Sequence, residues 1–178
     1  MKKLLLLILI LVAGNVEGAI VTKSIGATGR DYSTVTLWEA DLDNTTPYDA
    51  GDTARGEMYN DSNFNEHVTV NGGATIGLAD IILTSATGNR HTGTAGTGAR
   101  FVDTATAVIV GENTSVTFTV EWIEFDKNGQ DIGGTTDGLI SVAGNGGTKY
   151  IRNNLVHDGL ETNRSTAGIS AVAAVAAT

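Results

Sequence analysis

The chain has 178 residues, a length that fits one domain preceded by a short additional segment. Its net charge of −9 argues against binding to nucleic acid or an anionic membrane, because both require clustered positive charge. The absence of cysteine excludes disulfides, thiolate metal sites and cysteine nucleophiles. Apolar residues make up 41% of the chain, which is enough to build a core.

The first segment, residues 1–18, has the pattern of a signal peptide. Two lysines precede the ten-residue apolar run LLLLILILVA, which is too short to span a bilayer as a stable helix of about 20 residues. Val16 and Gly18 are small enough to predict cleavage after Gly18, and an uncleaved membrane anchor is the alternative. We therefore expect a secreted protein, extracellular or periplasmic, without a membrane attachment once the segment is removed.

The next segment, residues 19–52, is predicted to hold an opening strand and one amphipathic helix. The strand is expected over 19–25 and the helix over 34–43, where Thr36 and Glu39 have the spacing of a capping box. The residues expected on the buried face of this helix are Val35, Trp38 and Leu42.

From residue 53 onward the helical period disappears, and short β-rich runs alternate with turns of Gly, Asn and Asp. The predicted runs are 54–59, 67–70, 76–84, 100–110, 116–125, 139–142 and 149–157. A register shift after Trp122 indicates a bend in one of these runs. Asn153 and Asn154 predict another bend, because Asn tolerates the left-handed conformation and its side chain can bond a neighbouring turn.

Two stretches of the chain look like copies of one another. The sequence WIEFD at 122–126 matches NLVHD at 154–158 at an offset of 32 residues. A repeat of this length built from short strands indicates a solenoid. We expect Ile123 and Leu155 to occupy one continuous apolar column in it.

These segments carry a resemblance to a known family. VTFTVEWIEFDKNG at 116–129 and KYIRNNLVHDG at 149–159 resemble the right-handed parallel β-helix family, which has the pectate-lyase-like architecture. IGATGRDYSTVTLWEADLDN at 25–44 and GEMYNDSNFNEHVTV at 56–70 resemble the amino-terminal part of secreted β-helix proteins of phage and environmental bacteria.

The resemblance implies an all-β fold, a right-handed parallel β-helix (solenoid) with an amino-terminal capping helix. Its coils would occupy residues 53–178. The sequence GISAVAAVAAT at 168–178 contains no evident capping element, and terminal repeats normally need one. We therefore expect the coils to be incomplete at the carboxyl end.

One acidic loop has the spacing of metal ligands. Asp61, Asn63 and Asn65 form a D-x-N-x-N pattern that Glu66 follows, and such oxygen donors suit calcium. The glycine and the final carboxylate of an EF-hand loop are missing. A polar loop whose side chains cap local turns is therefore the alternative. Calcium is the one cofactor that the sequence suggests.

Polysaccharide cleavage would need two carboxyl groups at a fixed separation. The candidate catalytic residues are Glu124 and Asp126, together with Asp158 one apparent repeat later. Because coils of a β-helix lie about 4.8 Å apart, Asp126 and Asp158 are expected to be neighbours. The denser Asp cluster and the Gly-His segment of the family's hydrolases are missing. His157 and Asp158 could form an acid–base pair. Adjacent strand residues point to opposite faces, so a solvated turn histidine that points away from Asp158 is the preferred expectation.

The first functional hypothesis is a secreted, non-catalytic module for surface attachment, carbohydrate binding or assembly. A stacked solenoid presents a rigid acidic face rich in Thr, Asn and Asp, whose side chains can bond sugar hydroxyls. One alternative is a polysaccharide lyase or glycoside hydrolase, or its amino-terminal part. Another is a filament subunit that stacks through its open carboxyl-terminal coil. The expected partners are accordingly a polysaccharide, a cell-surface glycan or a second copy.

Overall fold

The computed structural model describes residues 18–103, 109–130, 139–143, 146–159 and 169–172. This part of the chain is mostly β, with one short α-helix and one 3₁₀ helix. In chain order the elements are β1 Ile20–Ile25, α1 Val35–Ala40, β2 Thr53–Met58, β3 Asn63–Phe64, β4 Val68–Val70, β5 Asp80–Ser85, the 3₁₀ helix Thr87–Asn89, β6 Arg100–Val102, β7 Val110–Glu112, β8 Thr117–Glu121, β9 Glu124–Asp126, β10 Ile140–Ala143, β11 Lys149–Arg152, β12 Leu155–His157 and β13 Ile169–Val172.

The strands form three sheets, and within the described ranges every strand pair is parallel. The first sheet has the order β1-β2-β5-β8-β11, the second β3-β6-β9-β12 and the third β4-β7-β10-β13. From β2 onward the chain visits the three sheets in turn and then repeats that order. We call each such passage a circuit. The predicted predominance of strands and their parallel pairing are confirmed.

A column of aromatic side chains forms the buried side of the second sheet. Phe64 pairs with Phe101, Phe101 with Phe125, and Phe125 with Val156. The ring centroids lie 6.0 Å apart in the first pair and 5.5 Å apart in the second. Such ring pairs contribute about 0.5–1.5 kcal/mol beyond the area that they bury. These ring contacts therefore stabilise the packing of consecutive circuits on one another.

The register between the last two circuits differs from the predicted one by one residue. Glu124 pairs with Leu155, and the residues that share a position in the two circuits are 31 apart, where the sequence predicted 32. A shift of one residue exchanges the two faces of a strand. The expected column of Ile123 and Leu155 is therefore wrong, and the column instead contains Phe125 and Val156.

The two predicted bends are confirmed and fix this register. Trp122 and Asn153 have φ values of 60° and 55° and separate the strands on either side of them. The side chain of Asn154 accepts a hydrogen bond from the Ile123 N–H at 3.1 Å and donates one to the Val120 carbonyl at 2.9 Å. The side-chain bonding to a neighbouring turn that the Asn pair predicted is present.

The helix α1 begins one residue after Thr34, which is its N-cap. The Thr34 hydroxyl accepts a hydrogen bond from the Leu37 N–H at 3.1 Å. The predicted capping box of Thr36 and Glu39 is wrong, because both residues already lie inside the helix. Glu39 instead accepts hydrogen bonds from two backbone N–H groups of the loop at 71–72.

Trp38 fills the core beneath the helix, as its position on the apolar face predicted. Its side chain is fully buried, and the indole N–H donates to the hydroxyl of Tyr48 at 2.9 Å. Burial raises the pKa of Tyr48 to about 12, so its hydroxyl keeps its proton. The helix contacts β1, β2 and β4.

Other boundaries differ from the sequence prediction. The strand β3 was not predicted, and the run predicted over 100–110 contains β6 and ends at the first residue of β7. Residues 104–108 between these strands lie outside the described part, as do residues 1–17 of the predicted signal peptide and residues 173–178 of the predicted uncapped end. Among the described helices, none is both long enough and apolar enough to cross a membrane.

Candidate functional site

A group of charged side chains lies where β9 and β12 pair in the second sheet. The imidazole of His157 is at its centre. Its Nε2 atom is 2.9 Å from Oε1 of Glu124. Its Nδ1 atom is 2.9 Å from Oδ2 of Asp158 and 3.9 Å from Oδ1 of Asp126. We refer to these four residues as the His157 cluster.

Glu124 is the buried member of the cluster, with a fully buried side chain. Its Oε1 also accepts a hydrogen bond from the Gly96 N–H at 2.7 Å and lies 3.9 Å from Nη1 of Arg100. These contacts hold the loop around Gly96 against the second sheet. The Glu124 carboxylate is thus buried, and the His157 ring is one of its hydrogen-bond partners.

The neighbouring carboxylates change the titration of His157. Burial by itself lowers the pKa of this imidazole. The hydrogen bonds to Asp158 and Glu124 and the charge of Asp126 outweigh burial and raise the pKa above its ordinary value of 6.5. When protonated, the ring donates to a carboxylate from each of its two nitrogens.

An open cleft of about 550 Å³ adjoins the cluster. Its lining residues are Asp126, Asn128, Gly129, Asp158 and Gly159. The two turns that form it are joined by a hydrogen bond from the Gly129 N–H to the Asp158 carbonyl at 2.9 Å. The Asp158 side chain is 68% exposed and that of Asp126 is 16% exposed. The cleft therefore presents two carboxylates and one amide to solvent.

The structure brings the three predicted catalytic candidates, Glu124, Asp126 and Asp158, together around His157. Asp126 and Asp158 lie close together, as expected, since both face Nδ1 of His157 and both line the cleft. The residue that pairs with Asp126 is His157, however, and His157 does not point away from Asp158 as predicted. Asp158 also contacts His157, because it follows the end of β12 and has a φ of 57°, so the alternation of strand faces no longer applies to it. A catalytic role for these acids stays a prediction.

Another acid on the same stretch, Glu121, lies on β8 in the first sheet. Its carboxylate accepts a hydrogen bond from Nε of Arg152 at 2.8 Å. The bend at Trp122 separates it from the second sheet, so it belongs to a different face.

Two of the predicted calcium ligands bond protein groups on separate elements. The Asp61 carboxylate accepts from the Ala27 N–H at 2.9 Å and from Nε of Arg30 at 3.0 Å. Asn63 Oδ1 accepts from Nε of Arg100 at 2.8 Å. Asp61 therefore stabilises the loop after β1, and Asn63 contacts Arg100 of β6.

The other two predicted calcium ligands are Asn65 and Glu66. Asn65 is exposed, and the Glu66 carboxylate accepts from the N–H groups of Val35 and Thr36 at 2.8 and 2.9 Å. These contacts do not support the calcium prediction. Within the described ranges, the group of three acidic or His ligand atoms that lie within 4.8 Å of one another comes from Glu124, Asp126 and His157.

A second His–carboxylate pair occurs at His67, whose Nε2 lies 2.8 Å from Oδ1 of Asp103. The side chains of Asp103 and Lys127 are both fully buried, and their charged groups are in contact. The ammonium of Lys127 thus already compensates this carboxylate, as a buried charge requires.

No protein-family model matches the chain, and no curated protein or solved structure matches it either.

Proposed function

We propose that the chain is a right-handed parallel β-helix, closed at its amino-terminal end by α1. The support is the order in which the chain visits its three parallel sheets. Connections between parallel strands of one sheet are right-handed in about 98% of cases. The contacts of α1 with β1, β2 and β4 support a capping role for the helix.

Export through the segment 1–18 belongs to the same proposal, and amino-terminal sequencing of the exported chain tests it.

The function that we propose for this module is to bind a polysaccharide in the cleft beside the His157 cluster, without cleaving it. The observation that carries the proposal is the set of polar side chains lining that open cleft: Asp126, Asn128 and Asp158. Carboxylates accept hydrogen bonds from sugar hydroxyls, and an amide both donates and accepts them. Hydrogen bonds to an ionised group are about twice as strong as neutral ones.

The charge of the cleft narrows the class of glycan. Among the described residues that line it, none has a cationic side chain, and two are aspartates. The whole chain carries a net charge of −9. Because like charges across an interface repel, the cleft favours neutral or amino sugars over polymers of uronic acids.

Of the three candidate acids, the geometry leaves Asp126 and Asp158 in the cleft and excludes Glu124 from hydrolysis. A glycosidase needs two carboxyl groups that flank the scissile bond. Glu124 is fully buried and already accepts hydrogen bonds from Gly96 and His157. It is therefore unable to reach a glycosidic bond in the cleft.

Binding is tested on an array of neutral, amino and uronic oligosaccharides, followed by calorimetric titration with the ligands that are retained. Asp158→Asn removes a charged acceptor from the cleft, and we expect affinity to fall roughly tenfold, because a hydrogen bond to a charged group contributes about 1.5–3 kcal/mol. Asp80→Asn is the matched control on β5 in the first sheet. Failure to retain any glycan, or equal affinity losses for the two variants, would contradict the proposal.

A lyase or hydrolase activity is the second candidate function. The hydrogen bond between His157 and Asp158 favours it, because such a pair can exchange a proton with a substrate. Reducing-sugar release from the same oligosaccharides distinguishes the two functions. Release that Asp158→Asn abolishes and Asp80→Asn does not would establish the enzyme. The filament hypothesis stays a prediction, which size-exclusion chromatography at several concentrations tests.

A further inference from the structure

We propose that Asp126, His157 and Asp158 bind a divalent transition-metal ion, of the Zn²⁺ or Mn²⁺ kind, at the mouth of the cleft. Glu124 would hold the ring of His157 in the orientation that binding requires. The site shares two carboxylates with the proposed glycan cleft, and it is tested with the cation alone.

The first argument is that the two ring nitrogens of His157 have different partners. Nε2 faces the fully buried carboxylate of Glu124 at 2.9 Å. Metal-binding histidines donate one ring N–H to such a carboxylate, which fixes the tautomer and leaves the other nitrogen free to coordinate. Glu124 is itself held by the Gly96 N–H. The ring of His157 is therefore oriented before any ion arrives.

The second argument is the set of oxygens around the remaining nitrogen. Nδ1 of His157 lies 2.9 Å from an oxygen of Asp158 and 3.9 Å from an oxygen of Asp126. Ligands bound at about 2.0–2.2 Å to one ion lie roughly 3–3.5 Å from one another. These two separations from Nδ1 fall on either side of that range. The exposed side chain of Asp158 would turn toward Asp126 to bring all three groups onto one ion.

The third argument is access. Asp126 and Asp158 line the open cleft of about 550 Å³, so an ion can enter, and positions remain for water or a bound ligand. An imidazole nitrogen with carboxylate oxygens suits zinc or manganese, whereas calcium is bound by oxygen ligands. The donor set thus selects a transition metal.

The pair of His67 and Asp103 shows why proximity of a histidine and a carboxylate is insufficient. There the carboxylate also contacts the buried ammonium of Lys127, and this positive charge repels a second cation. Three carboxylates surround His157, and the ion pair of Arg100 there is with the supporting Glu124 and not with the proposed ligands. His67 therefore supplies a matched control for the site.

The experiment is calorimetric titration of the metal-free chain with ZnCl₂, and in parallel with MnCl₂ and CaCl₂. We expect saturable binding of one Zn²⁺ or Mn²⁺ per chain and at least tenfold weaker binding of Ca²⁺. His157→Gln and Asp158→Asn should each weaken binding of the transition metal at least tenfold, while His67→Gln leaves it unchanged. Circular dichroism verifies that each variant is folded.

If His157→Gln does not fold, Asp158→Asn still tests the inference. The side chain of Asp158 is 68% exposed, so its replacement disturbs no core. Absence of saturable binding overturns the inference, as does an affinity that Asp158→Asn leaves unchanged. Calcium binding as tight as zinc binding overturns the assignment to a transition metal. Zinc binding without retention of any glycan would support this inference while removing the proposed function.

Discussion

The carboxylate of Glu66 accepts hydrogen bonds from the backbone N–H groups of Val35 and Thr36, at 2.8 and 2.9 Å. The first N–H groups of a helix have no partner within it, and the Thr34 hydroxyl bonds only that of Leu37. Glu66 bonds two of the others from a position 30 and 31 residues further along the chain. Its negative charge also lies at the positive end of the helix dipole.

Replacing Glu66 by Gln should therefore destabilise the fold. The charge is lost, and one acceptor oxygen becomes an amide nitrogen that is unable to accept from an N–H group. We expect the free energy of unfolding to fall by about 0.5–2 kcal/mol, the range for loss of an N-cap. Urea denaturation followed by circular dichroism measures the change. Glu57→Gln, at a partly exposed pair with Arg55, is the control, and equal losses in the two variants would show that α1 does not depend on Glu66.

Local patterns predicted much of the fold correctly. The spacing of apolar residues predicted the buried position of Trp38. The register shift after Trp122 predicted one bend, and the residue types at Asn153 and Asn154 predicted the other. Each of these features depends on residues that are close in sequence, so the chain itself carries the signal.

Contacts between circuits were predicted less well. The spacing of nearby polar residues assigned Glu66 to a calcium loop, whereas its partners Val35 and Thr36 lie about 30 residues earlier, at the start of α1. The circuits also differ in length. Gly72 and Thr114 of neighbouring circuits are 42 residues apart, whereas Ile123 and Asn154 are 31 apart. No constant repeat therefore fixes the register.

The candidate site depended on that register. The sequence singled out Glu124, Asp126 and Asp158 and missed His157 as their centre. A shift of one residue places His157 beside Asp126. Asp158 has a left-handed backbone conformation, and its side chain contacts the His157 ring. The alternation of side chains along a strand does not predict this contact.

Gly56 packs so closely against Trp38 that a larger residue should strain the core. A Cβ atom at this position would lie 2.8 Å from Cε2 of the buried Trp38 ring and 3.0 Å from Cδ1 of Ile25. We expect Gly56→Ala to lower the free energy of unfolding by about 1–3 kcal/mol, as overpacking does. Thermal and urea denaturation provide the measurement.

Gly88 offers the matched control for this substitution. A Cβ atom there meets nothing within 4 Å. Gly88→Ala should therefore leave stability unchanged, or raise it slightly because alanine lowers the conformational entropy of the unfolded chain. If Gly56→Ala were as stable as Gly88→Ala, the close approach to Trp38 would have no energetic consequence.

The side chain of Asn154 should contribute strongly to the bend between β11 and β12. It bonds the Ile123 N–H and the Val120 carbonyl of the neighbouring circuit. Asn154→Ala leaves both backbone groups without this partner, and each unsatisfied group costs about 1–3 kcal/mol when it is buried. We expect a loss of unfolding free energy in that range by urea denaturation. Asn71→Ala, at an exposed position, should change it little, and a loss no larger in Asn154→Ala would refute the role of this side chain.

The contribution of Asp31 should depend on pH. Its carboxylate accepts hydrogen bonds from the N–H and hydroxyl of Ser24 at 2.8 and 2.7 Å, with Nζ of Lys23 at 3.6 Å. The Ser24 hydrogen bonds, with the Lys23 charge, hold the pKa of Asp31 below its ordinary value of 3.8. A depressed pKa stabilises the folded state above the ordinary value, and the stabilisation is lost as the pH falls through the folded pKa.

We therefore expect Asp31→Asn to be less stable than the unsubstituted chain at pH 7, and the difference to shrink as the pH falls below about 4. Because the site is partly exposed, the difference at pH 7 should be below about 1 kcal/mol. Urea denaturation of both proteins at several pH values measures it. A difference that stays constant from pH 7 to pH 3 would mean that the hydrogen bonds matter and the charge does not. A difference that grows in acid would reverse the sign and contradict the lowered pKa.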